Sequence, residues 1–525
     1  MKKLTRLAIL IFLFFTTLNA LRSPLCYANN IRVQNVALYQ SPGQPAGTID
    51  IKFDVMWDNS FSGTDANGQS YYDRAWVFVK CWNSASPANT AWGHAVLTTG
   101  GTLSTYSATT GSGISGDGMG AFASPGLNQT VRWNYTANGL SSTNTVKLRV
   151  MAIEMVMIPT GSFYVGSGGT GIEFGSFTDG SWSSGATIPF KITSQGAITI
   201  NTGAGNLWGT STTGNNTIGP VGATNAAFPT GYNAFYCMKY EISQGQYVDF
   251  LNTLNREQQQ GRIYTGIASA ATSVTNIYVM ANSATLTNRN TIVSPASITA
   301  SVPIPFSTTT PHRASNFLSW ADLCAYADWS GLRPMTELEF EKAARGGSPT
   351  NNAVANEFAW GESTVFGTAY TLTNDGTLQE AASNQSTTLG NCAYSSTAAG
   401  AISGPLRCGI FANGTTSRVT SGASYYGVME LSGNVWERPV SVGEATVGRL
   451  FTGIHGNGVL TNVSGNYGNA DVSLWPGTGA LGSGFRGGNW YSVASSARVS
   501  DRSNAAITSV SRGDSVGGRC ARTSP

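Results

Sequence analysis

Three histidines, His94, His312 and His455, are all that 525 residues offer as imidazole bases or ligands, and they lie far apart in the chain. A zinc hydrolase needs His-Glu-x-x-His, and a nonheme-iron centre needs two histidines with a carboxylate; neither pattern can be written here. The seven cysteines include no Cys-x-x-Cys and no Cys/His cluster, so structural zinc is not expected. Gly111-Ser112-Gly113-Ile114-Ser115-Gly116 matches Gly-x-Gly-x-x-Gly, as does Gly166 to Gly171, but no helical pattern follows either one. Without a helix N-terminus behind the glycines, phosphate binding is not expected. Glu337, Glu339 and Glu341 read as first-turn carboxylates favoured by a helix dipole, not as a catalytic acid pair. A Ser/His/Asp set could assemble in space, but no spacing nominates one.

The elements that would position any site follow from composition. Charged residues are 11% of the chain, against roughly 25% in average soluble proteins, and 63 residues are glycine. That favours strands and long neutral loops over helical bundles. The formal net charge of +3 comes without a basic cluster or acidic tail, so neither nucleic acid nor an anionic membrane is implied as a partner. Lys2, Lys3 and Arg6, the apolar run Leu7 to Phe15 and the small-residue site Cys26-Tyr27-Ala28 read as a signal peptide, residues 1–28. The run is shorter than the ~20 apolar residues of a span. Cleavage would give a secreted, periplasmic or cell-surface protein with no membrane span after signal removal. Six cysteines would remain, and six allow about fifteen pairings. Cys392 and Cys408 share one Gly/Ser-rich loop, which a bond would stabilise by roughly 3 kcal/mol.

Residues 29–152 carry a period of two. Ile49, Ile51, Phe53, Val55 and Trp57 alternate with polar neighbours, as do Val131, Trp133 and Tyr135. Residues 75–82 are apolar on both faces, as a central strand requires. An all-β sandwich domain is expected, serving as spacer or docking module. Further on the period changes. Ser243 with Gln246, Ser319 with Asp322 and Thr336 with Glu339 make capping boxes ahead of short amphipathic helices.

From Met155 onward the chain resembles the formylglycine-generating enzyme (sulfatase-modifying factor) family. The match runs through Met155-Val156-Met157-Ile158-Pro159-Thr160-Gly161-Ser162-Phe163, then Phe235 to Ser243, and then Leu332-Arg333-Pro334-Met335-Thr336-Glu337-Leu338-Glu339-Phe340-Glu341. That last segment is close to the family's Arg-Leu-Pro-Thr-Glu-x-Glu-Trp-Glu signature. The match continues in Met429-Glu430-Leu431-Ser432-Gly433-Asn434-Val435-Trp436-Glu437 and in Phe485-Arg486-Gly487-Gly488-Asn489-Trp490 through Gly517-Gly518-Arg519-Cys520. The resemblance implies an α+β, C-type-lectin-like fold over residues 153–525. It also places the family's copper-binding cysteine pair at Ser492 and Ala497, where no thiolate can form, so neither copper nor iron is expected. The same resemblance implies a calcium turn at Glu430, Gly433, Val435 and Glu437, and a bridge from Cys324 to Cys520.

Residues 491–525 contain no Lys, Glu, Gln, Met or Trp, the five types that changes to the first two bases of an asparagine codon do not reach. The segment 486–525 therefore resembles the variable region of diversity-generating-retroelement proteins, which share the lectin-like fold. On that reading Tyr491, Ser492, Val493, Ser495, Ser496, Ser503, Asn504, Ile507, Ser509, Ser511, Asp514 and Val516 face a protein or glycan ligand. Trp490, Arg498, Val499, Arg502 and Arg519 hold the scaffold. Arg512-Gly513-Asp514 also spells an adhesion tripeptide. Ligand binding without catalysis is the expected function; the alternatives are an active enzyme of the family and a structural surface component.

Overall fold

A computed structural model describes residues 30–65, 67–103, 114–169, 173–180, 187–211, 215, 217–347 and 353–525. The expected signal peptide lies outside the described residues, as do Gly111 to Gly113 and Gly171 of the two glycine motifs.

An antiparallel sheet forms the outer layer, in the order Arg32–Tyr39, Thr48–Met56, Gly126–Asn134, Leu97–Thr102. The alternation does what the pleat demands: Ile51, Phe53, Val55, Val131 and Trp133 point inward and are buried. They meet a second sheet built on the strands Ser70–Asn83 and Val146–Ile158, paired in register from Asp73↔Val156 to Asn83↔Val146.

Strand Ser70–Asn83 is apolar on both faces because both faces are covered. Ala75, Val77, Val79 and Cys81 close the sandwich core. Trp76 and Phe78 point the other way, where Phe78 meets Trp329 edge-on at 5.0 Å. The partner strand then carries the sheet onward. Met155 to Ile158 pair with Phe235–Met238, which pairs with Cys520–Thr523, which pairs with Arg333–Pro334. The expected boundary between residues 152 and 153 thus falls inside a single strand, and one sheet runs through both modules.

Against the second face pack the helices Gln244–Leu251 and Trp320–Trp329, while Glu337–Arg345 covers a neighbouring cluster with Val156, Ile158 and Phe235. All three carry the expected capping boxes: Ser243, Ser319 and Thr336 each accept the N–H three residues on. A fourth, Arg256–Arg262, has the same arrangement from Asn255 and Gln258. The fold is α+β, mostly sheet with few helices. Among the described residues no helix is long and apolar enough to cross a membrane.

Neither expected disulfide forms: Cys81, Cys237, Cys324, Cys392, Cys408 and Cys520 are all buried free thiols. Cys392 packs with Phe358, Trp360 and Tyr394, whereas Cys408 belongs to a separate cluster with Tyr240, Ala314 and Met429, so their shared loop does not bring them together. Cys324 and Cys520 do occupy one core cluster, as thiols whose titration is pushed up by burial.

Candidate ligand-binding surface

The segment from residue 486 to 519 has little regular structure beyond the 3-10 turn Ala494–Ala497. Its path is set by arginines that are buried, or in the case of Arg512 half-buried. Arg486 donates to Glu337 (3.1 Å), to Glu341 (2.6 Å) and to the Val499 carbonyl (2.6 Å), with its guanidinium 5.0 Å over the Phe340 ring. Arg502 takes both oxygens of Glu337 at 2.8 and 3.0 Å and donates to the Gly175 carbonyl. Arg512 grips both oxygens of Asp322 at 2.7 and 2.8 Å, and Arg438 reaches the Ser509 carbonyl. Arg519 is ion-paired to Glu437. Glu337 and Glu341 are therefore more than dipole partners of their helix. They are fully buried counter-ions that tie it to the C-terminal segment, and bidentate guanidinium contacts fix direction as well as distance.

The turn between Arg486 and Trp490 leaves no room for side chains. Gly487 and Gly488 have φ of +83° and +74°; a Cβ on them would lie 2.9 Å from the Leu431 carbonyl and 3.0 Å from the Ala497 backbone. Trp490 follows, buried with Tyr370, Leu406 and Phe411, its indole N–H donated to the Asp514 carbonyl at 3.1 Å. Val499 and Arg519 are buried as expected of scaffold residues, while Arg498 is half-buried.

On this base Tyr491 and Val493 stand 68% and 61% exposed. Ser511 and Asp514 are exposed; Ser492, Ser495, Ser496, Ser503, Asn504, Ile507 and Ser509 are half-exposed. Val516 is the exception. It is buried, because its carbonyl accepts from Leu318 at 3.0 Å and its backbone bridges to Trp436. Sequence reasoning missed Thr508 and Val510, both exposed, because an irregular loop has no period from which the outward side chains could be read. It also missed Phe174, whose ring is exposed and whose carbonyl accepts the Arg502 N–H at 2.8 Å. The Arg-Gly-Asp tripeptide is not presented whole, since the Arg512 guanidinium is held by Asp322.

At the copper positions, Ser492 is half-exposed, with its N–H turned to Asn489 and its carbonyl to Ser395. Ala497 is walled in by Phe358, Trp360, Cys392 and Tyr394. A hydroxyl and a methyl supply no thiolate donor.

Beneath the surface lies the turn from Glu430 to Glu437. Glu430, Gly433 and Asn434 take φ of +54°, +87° and +66°. A Cβ at Gly433 would meet the Ala393 carbonyl at 2.3 Å. Glu241, which the sequence reading passed over, locks the turn by accepting from Asn434 Nδ2 (2.5 Å) and Val435 N (3.0 Å). Glu430 accepts from Gly409 N at 2.6 Å. Burial raises all three carboxyls, Glu430 to about 7, and for Glu241 mutual repulsion adds to it. One oxygen each of Glu430 and Glu437 is buried with no hydrogen-bond partner. Carboxylate oxygens of this kind are the donor type calcium takes, a hard cation satisfied by oxygens. Among the described residues no three acidic, histidine or cysteine side chains gather as a metal shell, so any cation here would need backbone carbonyls as well.

These features define a lectin-like scaffold of the sulfatase-modifying class. The family model for the sulfatase-modifying factor enzyme 1-like domain matches residues 141–524, and the chain belongs to that family. Among solved structures it is similar to Treponema denticola variable protein 1, at 11% identity over 71% of this chain and 96% of that one, with a TM-score of 0.30. Comparison with curated proteins by sequence returned no match.

Proposed function

We propose that this chain is an exported binding protein that uses a sulfatase-modifying-factor scaffold without its oxidative chemistry, and that residues 491–514 meet a protein or glycan ligand. One observation carries the reading: the segment is anchored from beneath through Arg486, Arg502 and Arg512 and through buried residues such as Trp490, Ala497 and Val499, while Tyr491 to Ser496 and Ile507 to Ser511 reach solvent. Contact residues can then change without disturbing the core, as in antibody loops, where tyrosine and serine combine rigid area with adaptable hydrogen bonding. Glu430, Gly433, Val435 and Glu437 would hold calcium under this surface, where the ion would neutralise the carboxylates and stiffen the turn.

The test is to incubate the purified chain with copper and a sulfatase-type cysteine peptide, and separately to replace Tyr491, Val493 and Val510 together by alanine. No peptide oxidation and an unchanged melting temperature are expected. Turnover of the peptide would make this a catalyst and end the proposal.

A further inference from the structure

Where the shared sheet meets the helix Gln244–Leu251, the surface opens into a cavity of about 280 Å³. Val33, Phe78, Met151, Ile153 and Trp329 form apolar walls, and no residue of the C-terminal segment lines it. Two polar side chains enter from one helix face, and Ser243, His312 and Tyr326 also line the cavity. Gln246 and Asp249 are three residues apart, the spacing that makes helical neighbours.

Both have unused bonding capacity. The Gln246 side-chain oxygen accepts from Ser243 N at 3.0 Å, leaving its amide nitrogen to donate elsewhere. Asp249 is reached by solvent, yet crowding pushes its carboxyl up by desolvation, with Arg149 pulling it back. Asp249 lines the cavity, so its carboxylate is set at a recess that solvent reaches. The Arg149 guanidinium sits over the Trp92 ring at 4.8 Å, so the cation that acts on Asp249 has a partner of its own. The indole N–H of Trp329 is donated to Thr253 at 2.8 Å, so that residue offers the cavity a ring and no free donor.

We propose that this recess binds a small organic ammonium ion with an apolar body. The ammonium pairs with Asp249, the apolar body lies against Phe78, Met151 and Trp329, and the Gln246 amide donates to an acceptor near the charge. A neutral apolar molecule leaves the carboxylate uncompensated, an anion is repelled by it, and for a bare metal ion no three acidic, histidine or cysteine side chains gather among the described residues. Sites of this kind, mostly apolar with a few converging polar groups, orient a ligand by its one charged end.

The probe is 2-phenylethylamine, titrated calorimetrically into the full chain at neutral pH, with Trp329 contributing a fluorescence readout and 2-phenylethanol as the uncharged isostere. Saturable binding of the amine is expected, weakened about tenfold or more in Asp249→Asn and for the alcohol. Asp249 is exposed, so that variant keeps its melting temperature; Met151→Trp, which fills the recess, should abolish binding independently. Equal binding of amine and alcohol, undiminished binding in Asp249→Asn, or no saturable binding of the amine would each overturn the proposal.

Discussion

At the scale of single residues, the division between anchor and contact side chain is the feature on which the proposed function rests. Arg502 and Glu337 are both fully buried, and a buried pair broken on one side leaves a charge without compensation. Arg502→Met should therefore cost about 3 kcal/mol, read as a shift in the denaturant midpoint. Arg486 still faces Glu337 in that variant, which keeps the loss toward the low end of such effects. Tyr491→Ala and Val510→Ala, each exposed, should stay within about 0.5 kcal/mol. A surface variant as damaging as the arginine variant would mean that the segment is core and not display. Serine and alanine at positions 492 and 497 were readable from the sequence as a loss of thiolate. Val516 was not readable as buried, because its burial depends on the Leu318 N–H, almost two hundred residues away.

At the scale of elements, the strand Val146–Ile158 decides how the halves behave. The two-faced pattern of residues 75–82 was visible in the sequence, but not that the second face belongs to the other module, since a period says which sides are covered and not by what. With Trp76, Phe78, Ile153 and Met155 packed into the core of the C-terminal half, heat should unfold both modules in one calorimetric transition. Residues 153–525 expressed alone should aggregate through the bared apolar face; two separated transitions would show the modules to be independent. The junction also carries a titratable group. Lys80 is fully buried, 3.1 Å from His94 Nδ1 and 3.1 Å from the Gly458 carbonyl, and desolvation lowers its pKa from 10.5 to about 7 while Asp328 acts to raise it. Its folded-state pKa lies below the unfolded value, so between pH 7 and about 10.4 the unfolded chain binds more protons and stability rises with pH. Urea midpoints measured across that window should climb in the parent protein and lose that part of the slope in Lys80→Met. His94, lowered to about 3, stays neutral throughout and does not contribute there.

At the scale of the whole molecule, a chain with few charges has placed many of them inside: Arg256, Arg333, Arg438, Arg449, Arg486, Arg502 and Arg519 are among its largest fully buried side chains. They bond carbonyls and carboxylates of loops that no sheet or helix satisfies, which is how so little regular structure holds a fixed surface. The capping boxes and the arginine-glycine-glycine turn were legible because their partners lie within a few residues. Most of the arginine lattice was not, because bonds such as Arg486 to Glu341, Arg502 to Glu337 and Arg519 to Glu437 join distant stretches and leave no local spacing. The same convergence shapes the carboxylate turn, where Glu241 and Arg519 come from distant parts of the chain to meet Glu430 and Glu437. If calcium binds there, it acts only on the folded state, since the unfolded chain does not bring Glu430, Glu437 and their flanking carbonyls to one point. Ligand at 100 times its dissociation constant would then stabilise the protein by about 2.7 kcal/mol. The melting temperature should rise with added calcium, fall back with a chelator, and cease to respond in Glu430→Gln with Glu437→Gln. An unresponsive parent protein would instead mean that Arg519 alone balances the turn, leaving the surface above it stiff without any metal.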